Sequence, residues 1–250
     1  MRHRLGTLLL LAAFPFPTAA TGQSSTQPGN TYVLVHGAWG GGWDWRGVDS
    51  LLTRQGHRVY RVTLTGLGER VHLASPDIGL PTHVTDVVNT ITWERLTNVV
   101  LVGHSYGGMV ITGVADQIPD RLRALVYIDA FLPDSGESVV QLTGTTLDAM
   151  VARSQDGMMQ APWATDAAIP KDVPHPLKTF TDTLVLTNPA ARRLPASYIL
   201  TVDRGATDDM FSPFAARAAA RGWPVHRMEA DHTPERSALA ELVALLQRLP

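Results

Sequence analysis

The chain contains no cysteine, which excludes disulfide bonds, a thiol nucleophile, cysteine metal ligands and lipoprotein attachment. It also carries little excess charge, because 21 basic residues face 23 acidic ones and the net charge is -2. That balance gives no electrostatic basis for binding nucleic acid or an anionic membrane surface. The 250 residues, 44% of them hydrophobic, fit one globular α/β domain with a sizeable core.

No apolar run in the chain is long enough for a stable membrane anchor. The run from Leu5 to Phe16 follows a basic start at Met1–Arg4, and small residues near Ala20 and Gly22 offer cleavage sites. This order is typical of a secretory signal peptide. We therefore expect residues 1–22 to be removed, leaving 23–250 as a single exported domain, periplasmic or secreted.

Short apolar strand-like runs alternate with amphipathic, helix-like segments along most of the chain. Such alternation predicts a doubly wound, mostly parallel sheet flanked by helices, with right-handed crossovers. The predicted strands are Thr31–His36, His57–Leu64, Asn98–Val102, Ala124–Asp129, Ser197–Val202 and Val225–Ala230. The predicted helices are Trp45–Gln55, Thr82–Arg95, Met109–Ala115, Phe211–Arg221 and Pro234–Arg248.

The alternation stops between about residues 132 and 193, where prolines and methionines are scattered and no clean strand is evident. A segment of this length inside a compact domain is rarely a plain loop. We expect a lid insertion with helices of its own.

Residues 103–107 read Gly-His-Ser-Tyr-Gly and match G-x-S-x-G between a buried strand and a helix. This is the pattern of a nucleophile elbow, in which a strained turn projects the serine hydroxyl above the sheet edge. Glycine is expected two residues before and after Ser105, because a β-carbon there would collide with neighbouring backbone. Ser105 is therefore the candidate nucleophile.

A serine hydroxyl needs a base and an orienting acid, and both should follow late strands at the same sheet edge. His232 follows the last predicted strand and is the candidate base. Asp203 follows the strand before it and is the preferred acid. Asp208 and Asp209 in the same turn, and Asp129 at the end of an earlier strand, are rival candidates for the acid.

The tetrahedral intermediate of acyl transfer needs two preorganised donors. The backbone N–H of Tyr106, which opens the elbow helix, and that of Ala38, after the first strand, are the candidates. The glycines at 40–42 permit a tight loop, and no Lys-Ser/Thr follows that would make it a phosphate loop. Candidate residues for an apolar pocket under the lid are Trp39, Phe131, Trp163 and Phe180.

Four stretches together resemble the α/β-hydrolase superfamily: VLVHGAWGGGW, GHSYGG, the aspartate after the penultimate strand, and ADHTP. The chain is most similar to the plant methylesterase and hydroxynitrile lyase branch and its bacterial esterase relatives. The resemblance implies Ser105, His232 and Asp203 as triad, and Ala38 and Tyr106 as oxyanion hole. The lyases carry threonine and lysine where this chain has Gly37 and Thr233, a difference that favours hydrolysis.

The sequence thus predicts a carboxylesterase-type serine hydrolase acting on small to medium, largely apolar esters, with no metal or cofactor. Two further functions stay open. One is a lyase or lactonase on the same scaffold, and the other is a ligand-binding homologue with little turnover. The oligomeric state, monomer or dimer, is left open.

Overall fold

The computed structural model describes residues 29–161, 163–164 and 168–249. The predicted signal peptide at residues 1–22 lies outside the described residues and stays a prediction. Within the described ranges, no helix combines the length and apolar character needed to cross a membrane.

A central sheet of six parallel strands forms the middle layer. The strands are β1 (Thr31–Val35), β2 (Arg58–Val62), β3 (Val99–His104), β4 (Leu122–Ile128), β8 (Ala196–Val202) and β9 (Val225–Glu229), and they lie in the order β2-β1-β3-β4-β8-β9. The helices are α1 (Arg46–Arg54), α2 (Leu80–Trp93), α3 (Gly107–Gln117), α4 (Val139–Leu142), α5 (Leu147–Ala152), α6 (Lys178–Thr181), α7 (Ser212–Ala220), α8 (Pro234–Ser237) and α9 (Leu239–Arg248). The predicted doubly wound α/β fold is confirmed.

Both faces of the sheet are covered, which explains why its inner strands are apolar without alternation. Val33 of β1 and Leu101 of β3 pack into the core under α2, α3 and α7. Leu34 and Val102, the next residues along each strand, pack into the opposite core with α9. Successive side chains point to opposite faces of a strand, so each strand contributes to both cores.

The closing helix differs from the prediction, because the segment predicted as one helix forms α8 and α9. The two meet at Ala238, whose φ of -135° and ψ of 40° are not helical. The break leaves α8 as a single turn directly after His232.

The insertion between β4 and β8, where the sequence predicts a lid, contains α4, α5 and α6. It also holds a small antiparallel sheet that the sequence did not predict, formed by β5 (Ser154–Gln155), β6 (Met158–Met159) and β7 (His175–Pro176). Strands of two residues are too short to show any periodicity in the sequence.

Candidate active site

Ser105 sits at the turn between β3 and α3 with a φ of 53°, in the left-handed region. A non-glycine residue there costs about 1–3 kcal/mol and needs surroundings that hold it. Its N–H donates to the carbonyl of Ile128, and its own carbonyl accepts from Gly108 and Phe131, each at 3.1 Å. These bonds tie the turn to the end of β4.

The two glycines flanking Ser105 are required by close backbone contacts. A β-carbon on Gly103 would lie 2.7 Å from the carbonyl oxygen of Gly107, and one on Gly107 would lie 2.8 Å from that of Val35. Both distances are shorter than real β-carbons tolerate, and backbone atoms cannot easily move aside. The spacing of the motif therefore follows from close packing within the turn at Gly103 and from packing of Gly107 against β1.

His232 follows β9, and its ring lies between Ser105 and an aspartate. Its Nε2 is 3.0 Å from the Ser105 hydroxyl oxygen, and its Nδ1 is 2.7 Å from Oδ2 of Asp129. With the proton on Nδ1, the ring donates to Asp129 and accepts from Ser105. The structure thus brings the two predicted residues Ser105 and His232 into direct contact.

The carboxylate beside His232 belongs to Asp129, not to Asp203, and the predicted acid is corrected accordingly. Asp129 is fully buried, and its Oδ1 accepts the backbone N–H of Thr201 at 3.1 Å. Asp203 is exposed in the loop after β8. In the same loop, Asp208 is exposed and Asp209 accepts the N–H of Phe211 next to α7.

Strand register explains why Asp203 misses the site. Ile128, the last residue of β4, pairs with Ile199, whereas β8 continues through Val202. Asp203 therefore lies roughly 10 Å beyond the level of Asp129 along the strand direction. Asp129 itself has a φ of 43°, which turns the chain at the strand end and directs the carboxylate towards His232.

Burial raises the pKa of the Asp129 carboxyl, whereas its hydrogen bond to His232 and the charge of that ring lower it. Burial is the largest effect, so the pKa of Asp129 is raised above its ordinary value. The same burial removes water as a competing partner. A carboxylate so placed fixes the orientation of His232 and favours the Nδ1–H tautomer.

Two further residues position His232, and neither was assigned a role from the sequence. His104 is buried, and its Nε2 donates to the His232 carbonyl at 2.6 Å. Burial first, and the nearby His232 second, hold the pKa of His104 well below its usual value. Phe211 stacks on the His232 ring, with centroids 4.8 Å apart and planes 7° from parallel.

The two predicted oxyanion donors flank Ser105. Tyr106 directly precedes α3, and Ala38 lies in the loop after β1, where a β-carbon on its neighbour Gly37 would be 3.1 Å from the Ser105 β-carbon. Among the residues that the structure describes, the backbone N–H groups of Ala38 and Tyr106 have no hydrogen-bond acceptor. With respect to the residues that the structure describes, both amides can donate to a ligand.

A cavity of about 410 Å³ opens above Ser105 and His232. Trp39 and Trp163, two of the predicted pocket residues, form an apolar wall with their rings 5.1 Å apart in an edge-to-face arrangement. Phe131 and Phe180, the other two, are buried in the core and pack on aromatic neighbours. The lining also contains charged residues, which the sequence did not predict: Asp44, Asp172, Glu235 and Arg236. Asp172 lies beside the tryptophans, since its Oδ2 accepts the indole N–H of Trp163 at 2.6 Å.

A larger cavity, of about 520 Å³, lies between α3, β4 and the lid. Three of the charged residues in its lining are already paired, since Asp116 accepts the N–H groups of Thr187 and Asn188, and Arg221 binds Asp134 at 2.7 Å. None of the described histidines lines it. The smaller cavity, which contains a hydroxyl-imidazole-carboxylate chain, is therefore the candidate active site.

Among the charged residues of the cavity lining, Glu235 is almost completely buried. Its side chain is 3% exposed, and Oε2 has no hydrogen-bond partner among the described residues. Burial, reinforced by the charge of Asp44, raises the pKa of this carboxyl to about 8, against a lowering by its own N–H and by Arg236. The folded protein therefore holds a proton on Glu235 at neutral pH.

We expect Glu235→Gln to stabilise the protein increasingly as the pH rises. The carboxyl binds its proton more tightly in the folded chain, so wild-type stability declines from the ordinary glutamate pKa up to about 8. The difference in the free energy of unfolding between Glu235→Gln and wild type should grow with a slope that approaches about 1.4 kcal/mol per pH unit. Urea unfolding of both proteins between about pH 5.5 and about pH 8.5 measures it.

Glu241→Gln, at an exposed position of α9, is the matched control and should leave the pH profile unchanged. Parallel profiles for wild type and Glu235→Gln would contradict a protonated Glu235.

Within the described residues, no group of histidine, cysteine, aspartate or glutamate side chains is arranged to hold a metal ion.

Comparison with known proteins identifies the family of this chain. A sequence profile of the alpha/beta hydrolase family matches residues 32–245. An extracellular alpha/beta-hydrolase from a Paenibacillus species superposes with a TM-score of 0.74 at 23% identity, covering 88% of this chain and 98% of that one.

Two curated proteins match part of the sequence. A carbendazim hydrolyzing esterase from Nocardioides sp. (strain SG-4G) is 51% identical over 121 residues, 48% of this chain and 50% of that protein. Methylesterase 2 of Arabidopsis thaliana is 35% identical over 109 residues, 43% of this chain and 41% of that protein. The chain thus matches half or less of the length of these relatives. The resemblance to methylesterases and bacterial esterases is confirmed.

Proposed function

Because the chain belongs to the alpha/beta hydrolase family, we propose that it is a serine carboxylic-ester hydrolase with Ser105, His232 and Asp129 as its catalytic triad. The observation that carries the proposal is the continuous chain of hydrogen bonds from the Ser105 hydroxyl through His232 to the buried Asp129 carboxylate. The names of the curated relatives, an esterase and a methylesterase, support the same reaction class.

In the proposed reaction, His232 takes the proton from Ser105 as the hydroxyl oxygen attacks the ester carbonyl carbon. The carbonyl oxygen becomes an oxyanion that accepts hydrogen bonds from the amides of Ala38 and Tyr106. The tetrahedral intermediate collapses, the bond to the alcohol oxygen breaks, and His232 gives its proton to the leaving alcohol.

The acyl group is then bound to Ser105. A water molecule, deprotonated by His232, attacks the acyl carbon through a second tetrahedral intermediate. The carboxylic acid leaves and Ser105 recovers its proton. Asp129 stays ionised throughout and stabilises the imidazolium that forms twice in the cycle.

The cavity supports small to medium esters as substrates. Its volume of about 410 Å³ lies in the range of small-molecule sites. The Trp39 and Trp163 rings favour an apolar group on the substrate, and Arg236 with its acidic neighbours offers polar contacts in the same cavity. We propose an exported enzyme, on the basis of the signal peptide predicted at residues 1–22.

Hydrolysis is favoured over cyanohydrin cleavage by the residue after the base. Thr233, at the position of the lyase lysine, binds Asp231 through both its N–H and its hydroxyl, at 2.8 and 3.0 Å. The cation that lines the cavity, Arg236, is paired with Asp44. Thr233 is uncharged, so the position after the base lacks the cation that handles the leaving cyanide in the lyases.

Hydrolysis of p-nitrophenyl esters from acetate to octanoate tests the proposal. We expect turnover with a chain-length optimum, and covalent labelling of Ser105 by a p-nitrophenyl phosphonate, located by peptide mass spectrometry. Labelling without ester turnover would favour a lactonase or a low-turnover binding protein, which lactone hydrolysis and ligand titration distinguish. Cleavage of mandelonitrile would favour a hydroxynitrile lyase.

A further inference from the structure

Trp39, the residue after the proposed oxyanion donor Ala38, is held entirely by the lid. Its backbone N–H donates to Nδ1 of His175 at 3.1 Å, and its carbonyl accepts from Val173 at 2.9 Å. Its indole N–H donates to the carbonyl of Met159 at 3.1 Å. Trp39 lies in the loop after β1 that also carries Ala38, here called the oxyanion loop. Three hydrogen bonds therefore join this loop to the β6–β7 part of the lid.

Trp39 needs such support because its φ is 65°, in the left-handed region that a bulky side chain rarely adopts. The conformation costs about 1–3 kcal/mol and persists only where neighbours impose it. The bond from the Trp39 N–H holds the peptide plane between Ala38 and Trp39, and the bond to the Trp39 carbonyl holds the plane that follows. The Ala38 N–H lies in the adjoining Gly37–Ala38 plane, so its direction depends on where the Ala38–Trp39 plane is held.

The His175 ring can hold this position only as a neutral imidazole with Nδ1 unprotonated. Its Nε2 lies 2.8 Å from the Thr179 hydroxyl oxygen, and that hydroxyl donates to the Pro176 carbonyl at 2.8 Å. The Thr179 oxygen is therefore an acceptor for Nε2–H, which leaves Nδ1 as the acceptor for Trp39. The tautomer is set by α6 and β7 together.

The surroundings of His175 keep it neutral. The ring is fully buried, 5.6 Å from the His83 ring, 4.9 Å from the Tyr106 ring and 4.8 Å from the Phe180 ring. Burial first, then His83 and His36, hold the pKa of His175 well below its usual value. A protonated ring would turn a donor towards the Trp39 N–H.

We propose that His175 is a positioning residue of the lid that fixes the oxyanion loop through the Trp39 amide, an inference that rests on the proposed function. The position of the Ala38 N–H then depends on the position of the lid. His175 touches no reacting atom, and it acts on the oxyanion only through Trp39 and Ala38.

The first test measures the contact itself, without catalysis. We expect His175→Phe, which keeps a ring but removes the acceptor, to accelerate hydrogen exchange of the Trp39 amide at least tenfold. His175→Asn places a carbonyl oxygen close to the former Nδ1 and should restore protection. Unchanged exchange in His175→Phe would overturn the proposal, whether or not the protein hydrolyses esters.

The second test measures transition-state stabilisation. Removal of one oxyanion donor typically costs about 10²–10³ in kcat, so misplacement of one should cost about 10- to 100-fold. We expect His175→Phe to lower kcat by that factor with KM within about threefold, and His175→Asn to recover most of it. Affinity for a trifluoromethyl ketone, whose adduct carries an oxyanion, should fall in parallel with kcat.

A purely structural role would lower the amount of active enzyme, measured by phosphonate titration, and leave kcat per active site and the ketone affinity unchanged. That outcome would contradict the proposal. If His175→Phe does not fold, Thr179→Val is the alternative variant. It removes the acceptor of the His175 Nε2–H, so the tautomer of His175 is no longer fixed, and kcat per active site should fall about 3- to 10-fold. Thr181→Val, on the same helix, is its control, because the Thr181 hydroxyl donates to the carbonyl of Lys178.

Discussion

Ser105→Ala is expected to lower kcat/KM for the best p-nitrophenyl ester by about a thousandfold or more, with KM nearly unchanged. The substitution removes only the hydroxyl, because alanine keeps the β-carbon and occupies the strained turn much as serine does. The residual rate would come from the Ala38 and Tyr106 amides and from substrate binding. Initial rates with purified protein, together with loss of phosphonate labelling, measure the effect.

Ser50→Ala, on the exposed face of α1, is the matched control and should leave kcat/KM unchanged. Thermal unfolding of both variants shows whether the fold is retained. If Ser105→Ala retained a tenth or more of the wild-type activity, another residue would be the nucleophile, and the proposed reaction would be wrong.

Asp129→Asn should lower kcat by about 10³- to 10⁴-fold at neutral pH. Asparagine has nearly the same shape and tolerates the left-handed φ of this position, so the turn after β4 should persist. Its amide group, however, would favour the His232 tautomer with the proton on Nε2. That tautomer cannot accept the proton of Ser105, and the imidazolium would also lose its counter-charge.

Asp203→Asn is the decisive comparison, because Asp203, which follows the penultimate strand, is the acid that the sequence favours. With Asp203 exposed after β8, we expect kcat within about twofold of wild type. Steady-state rates of the two variants, measured in the same preparation series, separate the assignments. A large loss in Asp203→Asn with an active Asp129→Asn would make Asp203 the acid of the triad.

The fold could be predicted because each strand and helix is marked by a hydrophobic pattern within its own short stretch of sequence. Apolar runs such as Val99–Val102 are buried on both faces, and the helices between them carry one apolar side. The small lid sheet was not predictable, because its two-residue strands form only when Met158–Met159 and His175–Pro176 meet across a long stretch of chain. The division of the closing segment into α8 and α9 likewise left no clear sequence signal.

The proposed nucleophile and base could be identified from the sequence because each depends on a neighbouring pattern. The glycines two residues from Ser105 mark a tight strand-to-helix turn, and His232 lies between the last strand and the closing helices. The acid could not be chosen in this way. Asp129 and Asp203 both follow a strand, and only the register of β4 against β8 decides which carboxylate reaches His232.

The sequence by itself therefore determined the layer order, the elbow and the position of the candidate base, since these follow from periodicity and turn chemistry. The tertiary structure decided which carboxylate lies beside His232, the burial of Glu235 and the contact between His175 and Trp39. Each of these joins residues distant in the chain, and strand register and lid packing set their distances. Local patterns do not encode those quantities.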